Sequence, residues 1–393
     1  MLAVTAVTIT ACSSRTASSP ATDKGPITLG VLVGSVAEGG PDFVNGMKVA
    51  ITNINASGGV AGRKLTLQTF QTGSTTAGAV SAYRSAAQSD VVGAFFGAVT
   101  GALAVKAQSD SIRLPIVIAT ASDAVDHPAA KYVFHNSFAG EYATSSLTYA
   151  VKHDGVKRVA EIHYDTDYSV GIQDALTKRC AELGCQVVDN ETASSTASVD
   201  ALIPQLTKMR NANPDAYFIE GLNPSSFAAA RQLGITQPII SDQWLAIPAL
   251  RDACGKNCDG VVFAIHKANV PQIMLPGDPL RQTLISYRDS YIQQIGSWAG
   301  FSIYGNDAVE AFAQAARDLI TAGKTPTRDN IAMALASFHG NLTTTHGVIN
   351  TSPSNHRLVG TWNESYVDVA VKVSGTTASW VLAPGADPAG STP

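Results

Sequence analysis

Small hydroxyls and carboxylates in this sequence collect just after short apolar runs. Thr100 stands in Gly97-Ala98-Val99-Thr100-Gly101-Ala102, and Thr120 and Ser122 flank Ala121 in Ala119-Thr120-Ala121-Ser122-Asp123. Tyr168 belongs to the polar turn Tyr164-Asp165-Thr166-Asp167-Tyr168-Ser169, and Ser241-Asp242-Gln243-Trp244 follows another apolar run. Hydroxyls and unpaired N–H groups at helix starts can hold a carboxylate or similar headgroup without burying an unpaired charge. Tyr168 adds a ring with a hydroxyl, and Asp242 an acid able to pair with an ammonium. The plainer reading is capping, for which Thr100, Ser122 and Asp123 are all suited. The turn at 164–169 has only two carboxylates and lacks EF-hand spacing, which argues against calcium.

Patterns that would signal catalysis are missing. No G-x-G-x-x-G follows the first apolar run, and G-x-x-x-x-G-K-[ST], H-E-x-x-H and G-x-S-x-G do not occur. The eight histidines are scattered. The expectation is a binding protein, with no enzyme activity, cofactor or metal. A net charge of −4 with 15% charged residues gives no reason to expect nucleic acid or an anionic membrane surface as partner.

The elements that must position these residues alternate. Apolar runs at 27–33, 64–70, 91–96 and 115–119 read as strands, separated by helical spacing at 42–55, 77–88 and 102–110. A second series follows, with strands at 158–163, 185–188, 215–220 and 238–241 and helices at 170–183, 199–211 and 225–233. Two tandem α/β units with parallel sheets account for 393 residues. Open sheets of this kind bind ligands at the carboxyl ends of their strands, where the hydroxyl-rich junctions fall. From 264 to 305 Pro271, Pro276, Gly277 and Pro279 break any regular pattern. Residues 304–322 read as a helix and 343–381 as short strands.

Residues 1–11 form an apolar stretch too short to span a bilayer, which needs about 20 residues, and read as a secretory signal. Ile9-Thr10-Ala11-Cys12 resembles the lipobox of bacterial lipoproteins, which makes Cys12 the acylation site and 12–26 a flexible tether. An ordinary cleaved signal with a coincidental cysteine is the alternative. Export also suits disulfides. The remaining cysteines are Cys180, Cys185, Cys254 and Cys258, and they allow three connectivities. Short-range pairing is favoured, because Gly184 and the turn Gly255-Lys256-Asn257 let each close pair fold back. A zinc site is the alternative, with unsuitable spacing and no adjacent histidine.

Gly46 to Arg63, Leu114-Pro115, Val133-Phe134 and Asn213-Pro214-Asp215-Ala216 occur in an order that resembles the leucine/isoleucine/valine-binding protein family. These are the type I periplasmic binding proteins of branched-chain amino acid ABC transporters, and the resemblance runs from about Ile27 to about Val381. It implies two Rossmann-like lobes joined by a three-segment hinge. Lobe one would be 27–139 plus 267–345, lobe two 140–266 plus 346–384, and 385–393 a disordered tail. The implied protein is a monomeric, lipid-anchored, extracytoplasmic solute-binding protein that delivers an amino acid or a related amide or organic acid to ABC transporter permease subunits. A ligand-sensing receptor component signalling to a membrane partner is the alternative. The resemblance places Thr100, Thr120 and Ser122 on the ligand's carboxylate-like end, Tyr168 over the ligand and Phe301 in its side-chain pocket. Gln243, with Asp242 beside it, stands where amino-acid binders carry the glutamate that takes the ammonium. The aromatic lid position falls on Glu38-Gly39-Gly40, which has no ring.

Overall fold

A computed structural model describes residues 25–35, 40–97 and 100–393. The signal, Cys12, most of the tether, Glu38 and Gly39 of the lid position, and Ala98-Val99 lie outside the described residues. The first unit runs β1 (Ile27–Val33), α1 (Gly40–Ala56), β2 (Leu65–Gln71), α2 (Thr76–Ala87), β3 (Gly93–Gly97), α3 (Ala102–Ile112), β4 (Ile116–Ala119) and β5 (Val133–His135). These strands form a wholly parallel sheet in the order β2-β1-β3-β4-β5. The nearly unbroken burial of β1, β3, β4 and β5 is what a sheet covered by helices on both faces requires, while β2 at the edge is largely exposed.

The second unit runs α4 (Glu141–His153), β6 (Arg158–Tyr164), α5 (Asp167–Leu183), β7 (Gln186–Ala193), α6 (Val199–Asn211), β8 (Ala216–Ile219), α7 (Ser225–Gln232), β9 (Ile239–Ile240), α8 (Pro248–Cys254) and β10 (Val262–His266). The chain then returns to the first sheet with α9 (Arg281–Ile295), α10 (Ser302–Thr321) and α11 (Arg328–Leu335). Here α10 packs on α1 and β3, and α9 on α1. A hairpin of β11 (His339–Thr344) and β12 (Gly347–Asn350) precedes α12 (Trp362–Ser365), β13 (Tyr366–Ser374) and β14 (Thr377–Leu382). The second sheet has the order β14-β13-β10-β9-β8-β6-β7, with β13 and β14 antiparallel at one edge. The main chain therefore passes between the two sheets three times, after β5, after β10 and after β12. The first and third passages run side by side, with His135 N–H donating to His356 O and Leu358 N–H to His135 O.

Several expectations need correction. Residues 264–305 are not irregular: they hold the end of β10 and the 15-residue α9. That helix buries only Leu284, Tyr287 and Tyr291, while Ile285, Ile292 and Ile295 lie off this stripe among polar residues, so its periodicity is faint. β7 continues to Ala193, well beyond 188. The tail at 385–393 is packed rather than disordered. Ser391 N–H donates to Tyr366 O, its hydroxyl accepts from Trp362 Nε1, and Ala389 O accepts from buried Lys267. Both short-range disulfides are present, Cys180–Cys185 and Cys254–Cys258, with Cα–Cα distances of 4.8 and 5.6 Å. Among the described residues no helix is long and apolar enough to cross a membrane.

Candidate functional site

In both sheets the strand order reverses beside the first strand, between β1 and β3 and between β6 and β8. A crevice opens at such a switch point, outside the strands' carboxyl ends. The ends of the two sheets face one another there, and between them lies a cavity of about 30 Å³. Its wall is made of Phe43, Gly97, Ala119, Thr120, Ser137, Phe301 and Tyr304 from the side of the first sheet, and of Tyr168, Gln243 and Trp244 from the side of the second. That space holds a water or two, so a larger guest has to enter while the two sides are parted.

Thr120 follows β4 and is 4% exposed. Its main chain is held from three sides. Thr120 N–H donates to Ser137 Oγ at 2.9 Å, the Ser137 hydroxyl donates back to Thr120 O at 2.5 Å, and His135 Nε2 lies 2.8 Å from the same carbonyl. The Thr120 hydroxyl itself is buried with no partner. Behind this loop Asp126 lies 3.5 Å from His135 Nδ1 and 2.7 Å from Arg357 Nε. Burial raises the Asp126 carboxyl, but His135 and Arg357 outweigh it and hold the group well below the usual range. Arg357 also pairs with Asp123 and lies 3.5 Å from Glu141 at the start of α4. The only group of ligating atoms close enough for a metal among the described residues is Asp123, Asp126 and His127, and Arg357 already occupies both of its acids.

Across the cavity, Tyr168 sits in the first turn of α5, whose N-cap is Thr166. Its hydroxyl donates to Asp242 Oδ2 at 2.9 Å, and Gly221 N–H donates to Asp242 Oδ1 at 3.0 Å. Glu220 lies close by, accepting from the Ser169 hydroxyl at 3.0 Å and from Tyr164 N–H at 3.3 Å. Both acids are fully buried, without a cationic partner among the described residues. Burial lifts Asp242 to about 6, while burial and the Asp242 charge lift Glu220 well above the usual carboxylate range. Gln243 accepts from the Tyr304 hydroxyl at 2.7 Å. Phe301 stands between Phe43, Trp244 and Tyr304, with ring centroids 5.9, 5.4 and 5.8 Å away.

The structure thus brings Thr120, Tyr168, Gln243 and Phe301 to one cavity, two from each side. It leaves out four residues expected there. Thr100 is half-buried and outside the cavity wall, and α3 is capped by Gly101, at a φ of 90°, without a side-chain bond. Ala121 points into the core, and Ser122 begins a 3-10 turn without capping it. Asp242 lies behind the wall, with both oxygens taken. Sequence reasoning missed Phe43, Ser137 and Tyr304 as wall residues and named Trp244 only as a neighbour. Phe43 and Tyr304 read as ordinary apolar positions of helices, and nothing local sets Ser137 apart.

Residues 26–368 match the family model described as periplasmic binding protein. Among solved structures, an extracellular ligand-binding receptor from Rhodopseudomonas palustris HaA2 is 20% identical with a TM-score of 0.77, over 88% of this chain and 98% of that one. The leucine binding protein LivK from Thermotoga maritima MSB8 is 22% identical with a TM-score of 0.73, over 90% and 97%. An ABC transporter substrate-binding protein from Desulfitobacterium hafniense, in complex with Leu, is 18% identical with a TM-score of 0.69, over 91% and 100%. Among curated proteins no sequence matches the chain. Two open α/β sheets facing across one polar-aromatic cleft, together with a family match over 26–368, mean that the chain belongs to the periplasmic binding protein family.

Proposed function

We propose that this protein captures a small polar solute in the cleft by closure of two lobes and delivers it to an ABC transporter. The lobes are 27–139 plus 267–345 and 140–266 plus 346–384. The observation that carries the reading is the Thr120 hydroxyl, which is buried in the cavity wall and unpaired, on a main chain pinned by His135 and Ser137. A buried hydroxyl without a partner costs about 1–3 kcal/mol, and a guest that bonds to it recovers that energy. Thr120, Tyr168, Gln243 and Phe301, joined by Trp244, form the holding set. Contacts made by one lobe can be shared by the other only when the cleft is shut, so a guest shifts the population towards the closed form. The similar structures, a leucine binding protein and a transporter substrate-binding protein in complex with Leu, support a solute of amino-acid size. The apolar leader and Cys12 support a lipid anchor at the outer face of the membrane.

A thermal-shift screen of amino acids, amides and organic acids followed by calorimetry tests the reading, because a ligand of the native state raises its melting point. Thr120→Val should weaken the best ligand by roughly five- to tenfold, the worth of about one hydrogen bond. Unchanged affinity in this variant would place the site elsewhere.

A further inference from the structure

Donors and acceptors already engaged in the cleft decide what remains for a guest. This step rests on the cleft being the ligand site. The Gln243 side-chain oxygen is taken by the Tyr304 hydroxyl at 2.7 Å, so what Gln243 has left to offer is its N–H₂. Trp244 is 2% exposed, and its indole N–H, a donor only, is buried with no partner. The Tyr168 hydroxyl gives its proton to Asp242, so its oxygen can only accept. Burial and the Asp242 carboxylate keep that phenol protonated. Thr120, on the opposite wall, can do either.

Charge narrows the choice. Among the described residues no lysine or arginine lines the cavity, and the buried Asp242 carboxylate, with Glu220 beside it, lies behind the same wall as Tyr168 and Trp244. A carboxylate pressed against that wall would be repelled and unpaired. An ammonium would meet N–H groups and leave the indole without an acceptor. The remaining lining is mostly rings: Phe43, Tyr168, Trp244, Phe301 and Tyr304.

We propose that the cleft takes an uncharged carboxamide with a flat or branched apolar body. Its carbonyl oxygen accepts from Trp244 Nε1 and the Gln243 amide, and its own N–H groups donate to the Tyr168 oxygen and the Thr120 hydroxyl. The rings enclose the apolar body. Gln243 is then the residue that selects a carbonyl over an ammonium.

The test uses two sets of near-isosteric probes with the whole protein at pH 7.5: benzamide, benzoate and benzylamine, and isovaleramide, isovalerate and isoamylamine. Melting temperature and Trp fluorescence are read for each. At least one amide should bind, with its acid and amine at least tenfold weaker. Gln243→Glu should cost that amide tenfold or more and favour the amine, with circular dichroism checking the fold. An acid or amine that equals its amide overturns the assignment, as does silence from both amides or an amide indifferent to Gln243→Glu. The wild-type ranking decides even if the variant does not fold. Thr120→Val and Trp244→Phe separate the two levels of failure. A charged probe lost in both variants refutes only the carboxamide, whereas a probe indifferent to both refutes the cleft itself.

Discussion

Asp368 on β13 is the clearest case of one side chain held against its preference. It is 6% exposed, its only side-chain donor is the Ser145 hydroxyl at 2.8 Å, and burial lifts it to about 6. The native state therefore binds this proton more tightly than the unfolded chain does. Stability from this group is complete below pH 4 and declines as pH climbs through the interval from 3.8 to about 6. Asp368→Asn keeps an acceptor for Ser145 and carries no charge. It should be neutral at pH 4 and stabilising by roughly 1–3 kcal/mol at pH 7.5, as read from urea melts at both values. An equal gap at the two pH values would mean that the carboxylate is not the cause. At this scale the sequence was legible where chemistry and position coincide, as at Thr120 and Tyr168, which are hydroxyls just past strands. It was not legible for Ser137 or Phe43, whose roles depend on which strands become neighbours. Thr100 and Ser122 show the converse, since a hydroxyl at a junction is no guarantee of a place in the cleft.

Among elements, α5 carries a contact that only a glycine permits. A Cβ on Gly171 would stand 2.5 Å from Ala121 O and 2.9 Å from Ser122 Cα, across the gap between the two sheets' units. Helix propensity runs the other way, since alanine is favoured over glycine inside a helix by about 1 kcal/mol. Gly171→Ala should therefore leave the melting temperature of the free protein unchanged or higher, because parted lobes relieve the clash. Affinity for any cleft ligand should fall at least tenfold. Matched melts and calorimetry check this, and a variant that binds normally would show that the lobes need not approach so closely. The same scale explains what reading along the chain missed. α6 was fully legible because Leu202, Leu206 and Met209 mark one face at helical spacing. α4 was not, because it buries Thr144, Ser145, Ser146 and Thr148 beside Tyr142 and Leu147, and buried hydroxyls leave no apolar period.

For the whole molecule, the passages between sheets are joined by buried polar contacts rather than by apolar packing alone. Tyr304, whose hydroxyl holds Gln243 in the cleft wall, also meets the hydroxyls of Tyr142 at 3.0 Å and Tyr366 at 2.9 Å. Tyr366 in turn lies 3.4 Å from His346 Nε2, and His346 Nδ1 is 2.7 Å from Asp307. One chain of bonds thus links the cleft to residues of α4, α10, the β11–β12 hairpin and β13. The C-terminal residues strap the same region. Lys267, buried just after β10, bonds to Asp278 at 2.8 Å, Asn363 O at 3.2 Å and Ala389 O at 2.6 Å. Removing residues 385–393 would take one partner from this ammonium and leave the Trp362 indole N–H, now 2.8 Å from Ser391 Oγ, with none. An orphaned buried donor costs about 1–3 kcal/mol, so the truncated chain should lose roughly that much in a urea melt. Lys267→Met in the full chain supplies the comparison, because it deletes the charge while the strap remains. If truncation costs nothing, the last nine residues merely rest on the surface. If it costs more than Lys267→Met, the Trp362–Ser391 contact contributes in its own right, and the strap holds the second and third passages together.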